Sequence, residues 1–94
     1  MEIETIRVAV RQVAPLYPIL FVDLFGSYAE GTANSKSDID LLVYFDLKRA
    51  TLLDLSGLQL DVQDLLHIKV DVVAGPIDQD SMLVIGNTVH LYEA

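Results

Sequence analysis

In residues 19–45, ILFVDLFGSYAEGTANSKSDIDLLVYF, two apolar runs flank a polar connection. The first run, 19–25, and the second, 38–45, have the length of strands and are apolar at almost every position, which favours two central strands of one sheet. Between them, residues 26–31 form a Gly-Ser turn into a short helix that ends on a glycine, and a polar loop follows. The centre of the sheet is therefore expected to come from this one stretch.

Two acidic residues open the second strand, Asp38 and Asp40. Because residues two apart in a strand point to the same side of a sheet, their carboxylates share one small volume. The two charges repel each other, and a hard divalent cation such as Mg²⁺ relieves that repulsion, since it takes carboxylate and phosphate oxygens as ligands. Asp38 and Asp40 are thus candidate metal ligands, although a solvated turn with a capping role is compatible with the same pattern.

The turn that precedes these carboxylates suits an anion. Gly26 permits close backbone approach, Ser27 offers a hydroxyl and an N–H, and the start of the following helix directs free N–H groups outward. These features predict that Gly26 and Ser27 bind phosphate beside a metal held by the aspartates. Ser27 as a plain helix cap would use the same N–H groups, so both roles remain open.

The rest of the chain predicts further helices and strands around this centre. Hydrophobic patterning places helices at 2–14, 28–31, 51–66 and 78–85 and strands at 19–25, 38–45, 68–74 and 88–92. The long helix has a weak point at Ser56-Gly57, because glycine is a poor helix former, and the last strand suits a sheet edge. The fold class is α/β (α+β): a small mixed β-sheet of about four strands flanked by helices.

The third strand contributes a third carboxylate. Asp71 is its only acid, and Lys69 lies on the same side of the strand, two residues earlier. Asp71 is therefore either a third acid of the proposed site or an exposed ion-pair partner of Lys69.

Composition limits the function. A chain of 94 residues that is 52% hydrophobic has enough apolar side chains for one core, so a single domain, 1–94, is expected. A formal net charge of −8 opposes direct nucleic-acid binding, since that binding depends on Lys and Arg. There is no cysteine, and no apolar run approaches the ~20 residues that span a bilayer. Neither a disulfide framework nor a membrane association is expected, and a cytoplasmic location is the default.

A resemblance to a known superfamily rests on the residues already described. Gly26-Ser27, ten intervening residues and Asp38-Ile39-Asp40 resemble the signature of DNA polymerase β-like nucleotidyltransferases. Residues 69–73, KVDVV, are similar to the superfamily's strand with the third carboxylate. Over nearly its whole length the chain most resembles the minimal nucleotidyltransferase (MNT) antitoxins encoded beside HEPN-domain toxins in prokaryotes. The expected fold is accordingly that of a nucleotidyltransferase.

The resemblance implies an antitoxin that transfers AMP from ATP to a hydroxyl of a cognate HEPN RNase toxin, with tyrosine as the acceptor, and so neutralises it. It implies Asp38, Asp40 and Asp71 as the catalytic and metal-binding residues, with Gly26 and Ser27 binding the nucleotide. Two Mg²⁺ ions suit three convergent carboxylates, because ions about 3.5–4 Å apart stabilise both the entering and the leaving oxygen.

One departure leaves a second function open. Many minimal nucleotidyltransferases carry a basic residue in the short helix after Gly-Ser, whereas residues 28–31 contain none. Phosphate binding would then depend on metal and backbone, and the alternative is a non-catalytic binding module that neutralises the toxin by occlusion. Lys36 is compatible with a phosphate contact or a solvated loop position. His67 and His90 have no neighbouring ligand types and are expected to be structural.

Overall fold

The computed structural model describes residues 1–75 and 85–94. Its elements, in chain order, are helix α1 (Ile3–Val13), a 3₁₀ turn (Ala14–Leu16), strand β1 (Ile19–Phe25), helix α2 (Ser27–Glu30), strand β2 (Ile39–Phe45), helix α3 (Leu52–Leu66), strand β3 (Val70–Gly75) and strand β4 (Val89–Glu93). These bounds lie close to the predicted ones. The helix predicted at 78–85 cannot be compared, because residues 76–84 lie outside the described part of the chain.

The four strands form one mixed sheet in the order β3-β2-β1-β4. β1 is antiparallel to both β2 and β4, whereas β2 and β3 are parallel and joined by the crossover helix α3. The two apolar strands of the stretch 19–45 are central and β4 is at an edge, as predicted. This mixed four-stranded sheet with its helices confirms the predicted fold class.

Helices α1 and α3 cover one face of the sheet and supply its core. Apolar residues at helical spacing in each helix meet alternate residues of the strands, because helix and strand periods place those residues on single faces. The fully buried set includes Ile6 and Val10 of α1, Leu58 and Val62 of α3, and Val22, Leu24, Ile39, Leu41, Val43, Val70 and Leu91 of the sheet. In the described residues, no helix is both long enough and apolar enough to cross a membrane.

The second face of the sheet carries a different set of residues. Phe21 lies opposite Tyr44 in the β1–β2 register, and their rings stack with centroids 4.1 Å apart. Continuing along the same face, Asp23 lies opposite Leu42 and Phe25 opposite Asp40. Asp40 therefore faces away from the apolar core under α1 and α3, at the end of the face where β2 begins.

Helix α3 is continuous through Ser56-Gly57, so the predicted weak point does not interrupt it. A Cβ on Gly57 would lie 2.6 Å from the hydroxyl oxygen of Tyr17, and the missing side chain is replaced by the Tyr17 ring. The Tyr17 hydroxyl donates a hydrogen bond to Asp61 Oδ2 at 2.5 Å. The glycine thus allows the segment after α1 to dock on α3.

Candidate active site

The candidate site lies where three strands meet at one end of the sheet. β1 ends there and β2 begins there, because the two are antiparallel; β3 begins there too, because it is parallel to β2. The register places Asp40 directly beside Asp71. Since neighbouring strands are about 5 Å apart, the two carboxylates are neighbours on the second face of the sheet.

Asp38 immediately precedes β2 and completes a set of three acids. Its side chain is 41% exposed and that of Asp71 is 46% exposed, whereas Asp40 is half-buried. Burial raises the pKa of the Asp40 carboxyl above its ordinary value, and the negative charges of Asp71 and Asp38 raise it further. The three acids therefore repel one another at a place where a bound cation would relieve the repulsion.

Gly26 brings the end of β1 into contact with Asp40. Its backbone has φ 75° and ψ −156°, a conformation almost confined to glycine. A Cβ on Gly26 would lie 2.2 Å from Asp40 Oδ2, far inside van der Waals contact. Only glycine allows the turn to approach the carboxylate this closely. The structure thus places the predicted phosphate-binding turn directly against one of the predicted metal ligands.

Ser27 is the first residue of α2, a single helical turn. The Glu30 N–H donates to the Gly26 carbonyl at 3.1 Å, and the Thr32 N–H donates to the Ser27 carbonyl at 2.9 Å. Gly31, with φ 78°, ends the turn in the left-handed conformation. These hydrogen bonds use the carbonyl groups of the turn, whereas the first N–H groups of a helix have no partner within the helix itself. Those N–H groups are the donors that an anion beside Asp40 would meet.

The loop before Asp38 is shaped by its own hydrogen bonds. The Asn34 N–H donates to Ser37 Oγ at 2.9 Å, and the Lys36 N–H donates to Asn34 Oδ1 at 2.8 Å. Lys36 is exposed. This local network fixes the entry into β2 and, with it, the position of Asp38.

Lys69 reaches two of the three acids. Its Nζ lies 3.6 Å from Asp38 Oδ2 and 3.9 Å from Asp71 Oδ1. Sequence reasoning recognised only the pairing with Asp71, which follows from their spacing within one strand. The contact with Asp38 depends on β2 and β3 being parallel and in register, since the Ile39 N–H donates to the Lys69 carbonyl at 3.0 Å. The sequence alone does not show which strands pair, so it could not predict the contact between Lys69 and Asp38.

The two histidines lie at the end of α3 and on β4. His67 ends α3 in the left-handed conformation, with φ 56°. His90, on β4, has its Nδ1 2.7 Å from Asp23 Oδ1. That both histidines are structural stays a prediction.

The donor set of the site fits a hard divalent cation. Mg²⁺ takes carboxylate oxygens together with water and substrate phosphates, and it needs only one or two carboxylates from the protein. Within residues 1–75 and 85–94, no three acids or histidines are drawn together closely enough to hold a metal by themselves. A cation here would therefore share Asp38, Asp40 and Asp71 with oxygens of a nucleotide or water, which is a partly open site.

Residues 3–88 match the family model described as nucleotidyltransferase domain. The chain belongs to that family. This confirms the nucleotidyltransferase resemblance that was drawn from Gly26-Ser27 and Asp38-Ile39-Asp40. A candidate protein adenylyltransferase of Methanocaldococcus jannaschii is 34% identical over 70 residues, which cover 74% of this chain and 70% of the relative.

Solved structures of nucleotidyltransferases share the fold of this chain. A candidate minimal nucleotidyltransferase is 42% identical, with a TM-score of 0.67, and the match covers 79% of this chain and 78% of that one. A complex of a tri-AMPylated HEPN toxin of Shewanella oneidensis with an MNT antitoxin matches with a TM-score of 0.61 and 17% identity, over 95% of this chain and 73% of that one. At that identity the second likeness concerns the fold alone.

Proposed function

We propose that this chain is a Mg²⁺-dependent nucleotidyltransferase that transfers AMP from ATP to a hydroxyl of a partner protein. The hydroxyl oxygen bonds to the α-phosphorus, the bond from that phosphorus to the oxygen bridging the β-phosphate breaks, and pyrophosphate leaves. The observation that carries the proposal is the contact of Gly26 with Asp40, with Asp71 beside it. This contact joins the turn that we propose to bind phosphate to a pair of carboxylates. Transfer of a phosphoryl-type group depends mainly on positioning and charge stabilisation, and these residues supply both.

Each residue has a role in this reaction. Mg²⁺ held by Asp38, Asp40 and Asp71 would stabilise negative charge on the phosphate and on the entering and leaving oxygens. The backbone of Gly26 and Ser27 orients the triphosphate through N–H groups. Asp71, which is half exposed, also helps to activate the attacking hydroxyl by accepting a hydrogen bond from it.

The acceptor that we propose is a tyrosine of a HEPN-domain toxin, which makes this chain an antitoxin. Two findings support the proposal: the relative from M. jannaschii is named for protein adenylylation, and the fold is shared with a chain of a complex containing an AMPylated HEPN toxin. The formal net charge of −8 favours a basic partner. We also propose a cytoplasmic location for the pair.

Asp40→Asn tests the reaction. The amide keeps the shape of the side chain and removes one negative charge, so folding and partner binding should persist while AMP transfer falls by at least about 100-fold. Intact-mass spectrometry of the proposed HEPN-domain partner, after incubation with ATP and Mg²⁺, measures the transfer. Asp46→Asn is the matched control, because it makes the same change at the other end of β2. Equal added mass with both variants would refute the assigned role of Asp40.

An exposed apolar surface favours a second candidate function. Leu47 and Leu52 are 74% and 85% exposed and line one pocket together with Leu55, and contiguous exposed apolar groups are typical of partner surfaces. The second candidate is a binding module that neutralises the toxin by occlusion. If the wild type adds no mass to the toxin and Asp40→Asn protects cells as well as the wild type does, occlusion is the function.

A further inference from the structure

The ammonium of Lys69 contacts two of the three acids, Asp38 and Asp71. The chain has six Lys and Arg residues in total. Among the ion pairs of the described residues, those that involve Asp38 or Asp71 both use the Lys69 ammonium. Helix α2, which follows the Gly26-Ser27 turn, contributes no basic side chain. Lys69 is therefore the basic side chain that the structure shows in contact with the candidate site.

The backbone of Lys69 is held while its side chain is free to move. Its carbonyl accepts the Ile39 N–H at 3.0 Å, and the N–H of the next residue, Val70, donates to Gln63 Oε1 at 3.1 Å. The Lys69 side chain is 65% exposed and has a flexible four-carbon stem. The residue therefore combines a fixed base with a charge that can change partners without disturbing the sheet.

The present partners of that charge are the oxygens that a metal would use. Exposed ion pairs at 3.6 and 3.9 Å are weak, because water screens them. A divalent cation ligated directly by the same carboxylates competes well against a single ammonium. Once it is bound, its own positive charge repels the ammonium, which must leave the space between Asp38 and Asp71.

We propose that Lys69 is a phosphate-binding residue that exchanges partners. Asp38 and Asp71 hold it when no metal is bound, and a divalent cation releases it to the triphosphate of the nucleotide. Lys69 thereby supplies the protein cation that α2 lacks. The proposal rests on the proposed function, since it requires a nucleotide and a metal in this site.

The test compares metal binding with nucleotide binding in Lys69→Gln. Removing the ammonium removes a competitor, so Mn²⁺ alone should bind roughly threefold to tenfold more tightly. AMP-PNP with saturating Mn²⁺ should bind about tenfold more weakly, because the charge on the triphosphate loses a partner. Electron paramagnetic resonance of free Mn²⁺ measures the first affinity, and titration calorimetry measures the second.

In Lys69→Gln the affinity for Mn²⁺ should rise and the affinity for AMP-PNP should fall, and these opposite changes distinguish a phosphate-binding role from a structural one. A variant that merely distorted the site would weaken both affinities together. Lys69→Arg should restore nucleotide binding, and Lys48→Gln, an exposed lysine beyond the other end of β2, should change neither. If Lys69→Gln leaves both affinities unchanged or weakens both, the inference is wrong while the proposed function stands. If the wild type binds no AMP-PNP with Mn²⁺, both are wrong.

Discussion

At Gly26, the absence of a side chain decides whether the turn and the carboxylate can touch. The position combines a positive φ with a neighbouring carboxylate oxygen where a Cβ would stand. Gly31, only five residues away, also has a positive φ, of 78°, but a Cβ there would meet nothing within 4 Å. Substitutions at the two glycines can therefore be compared to separate the cost of backbone strain from the cost of a clash with Asp40.

Gly26→Ala should therefore cost more than Gly31→Ala. Backbone strain alone is expected to lower the free energy of unfolding by about 1 kcal/mol in Gly31→Ala. Gly26→Ala should lose about 2–3 kcal/mol, because its backbone conformation is rarer and Asp40 must move. Urea denaturation measures both losses, and calorimetry with AMP-PNP and Mg²⁺ should show weakened binding only in Gly26→Ala. Indistinguishable variants would show that the Gly26–Asp40 contact has no functional importance.

At the scale of elements, the junction between the 3₁₀ turn and α3 depends on one phenol. The hydrogen bond to Asp61 raises the pKa of Tyr17 to about 12, with further contributions from burial and from the charges of Asp61 and Asp54. Because the protonated phenol is favoured in the folded state, this contribution to stability is complete below the ordinary pKa of about 10. It is lost as the pH rises through about 12.

Alkaline titration tests that junction. The tyrosinate absorbance of the wild type minus that of Tyr17→Phe should show one phenol with a pKa near 12. Asp61→Asn should lower this pKa, because the amide accepts a hydrogen bond but carries no charge. Tyr17→Phe should also be less stable near neutral pH by roughly 1 kcal/mol. A difference titration centred on the ordinary value would mean that the Tyr17–Asp61 bond does not persist in solution.

At the scale of the whole molecule, the net charge of −8 affects the rate at which the protein associates with a charged partner. If the toxin is basic, long-range attraction should speed association, and salt should screen it. The association rate should fall roughly tenfold between low and physiological ionic strength, with a much smaller change in the dissociation rate. Stopped-flow mixing measures both rates. An association rate that does not vary with salt would exclude electrostatic steering of this complex.

Much of the fold was predictable because its signals are local. The apolar runs of β1 and β2, the helical spacing of α1 and α3, and the glycine that precedes α2 each act within a few residues. The pairing of strands was not predictable in this way, since an apolar strand has the same pattern whatever its neighbour. The Lys69–Asp38 contact was missed for that reason. The single helix through Gly57 was predicted correctly, but a sequence shows only the missing side chain and not the Tyr17 ring that takes its place.

The topology of the sheet also sets the order in which the site can assemble. Gly26 and Asp40 belong to antiparallel neighbours joined by the short connection 26–38, and closing a short connection costs little chain entropy. Asp71 arrives through the parallel pairing of β3, which must wait for the crossover 46–69 to form. Two of the acids and the turn can thus form early in folding, and the third completes the set late. A ligand that contacts all three acids binds only the finished molecule, and its binding energy holds β3, a strand at the sheet edge, in place.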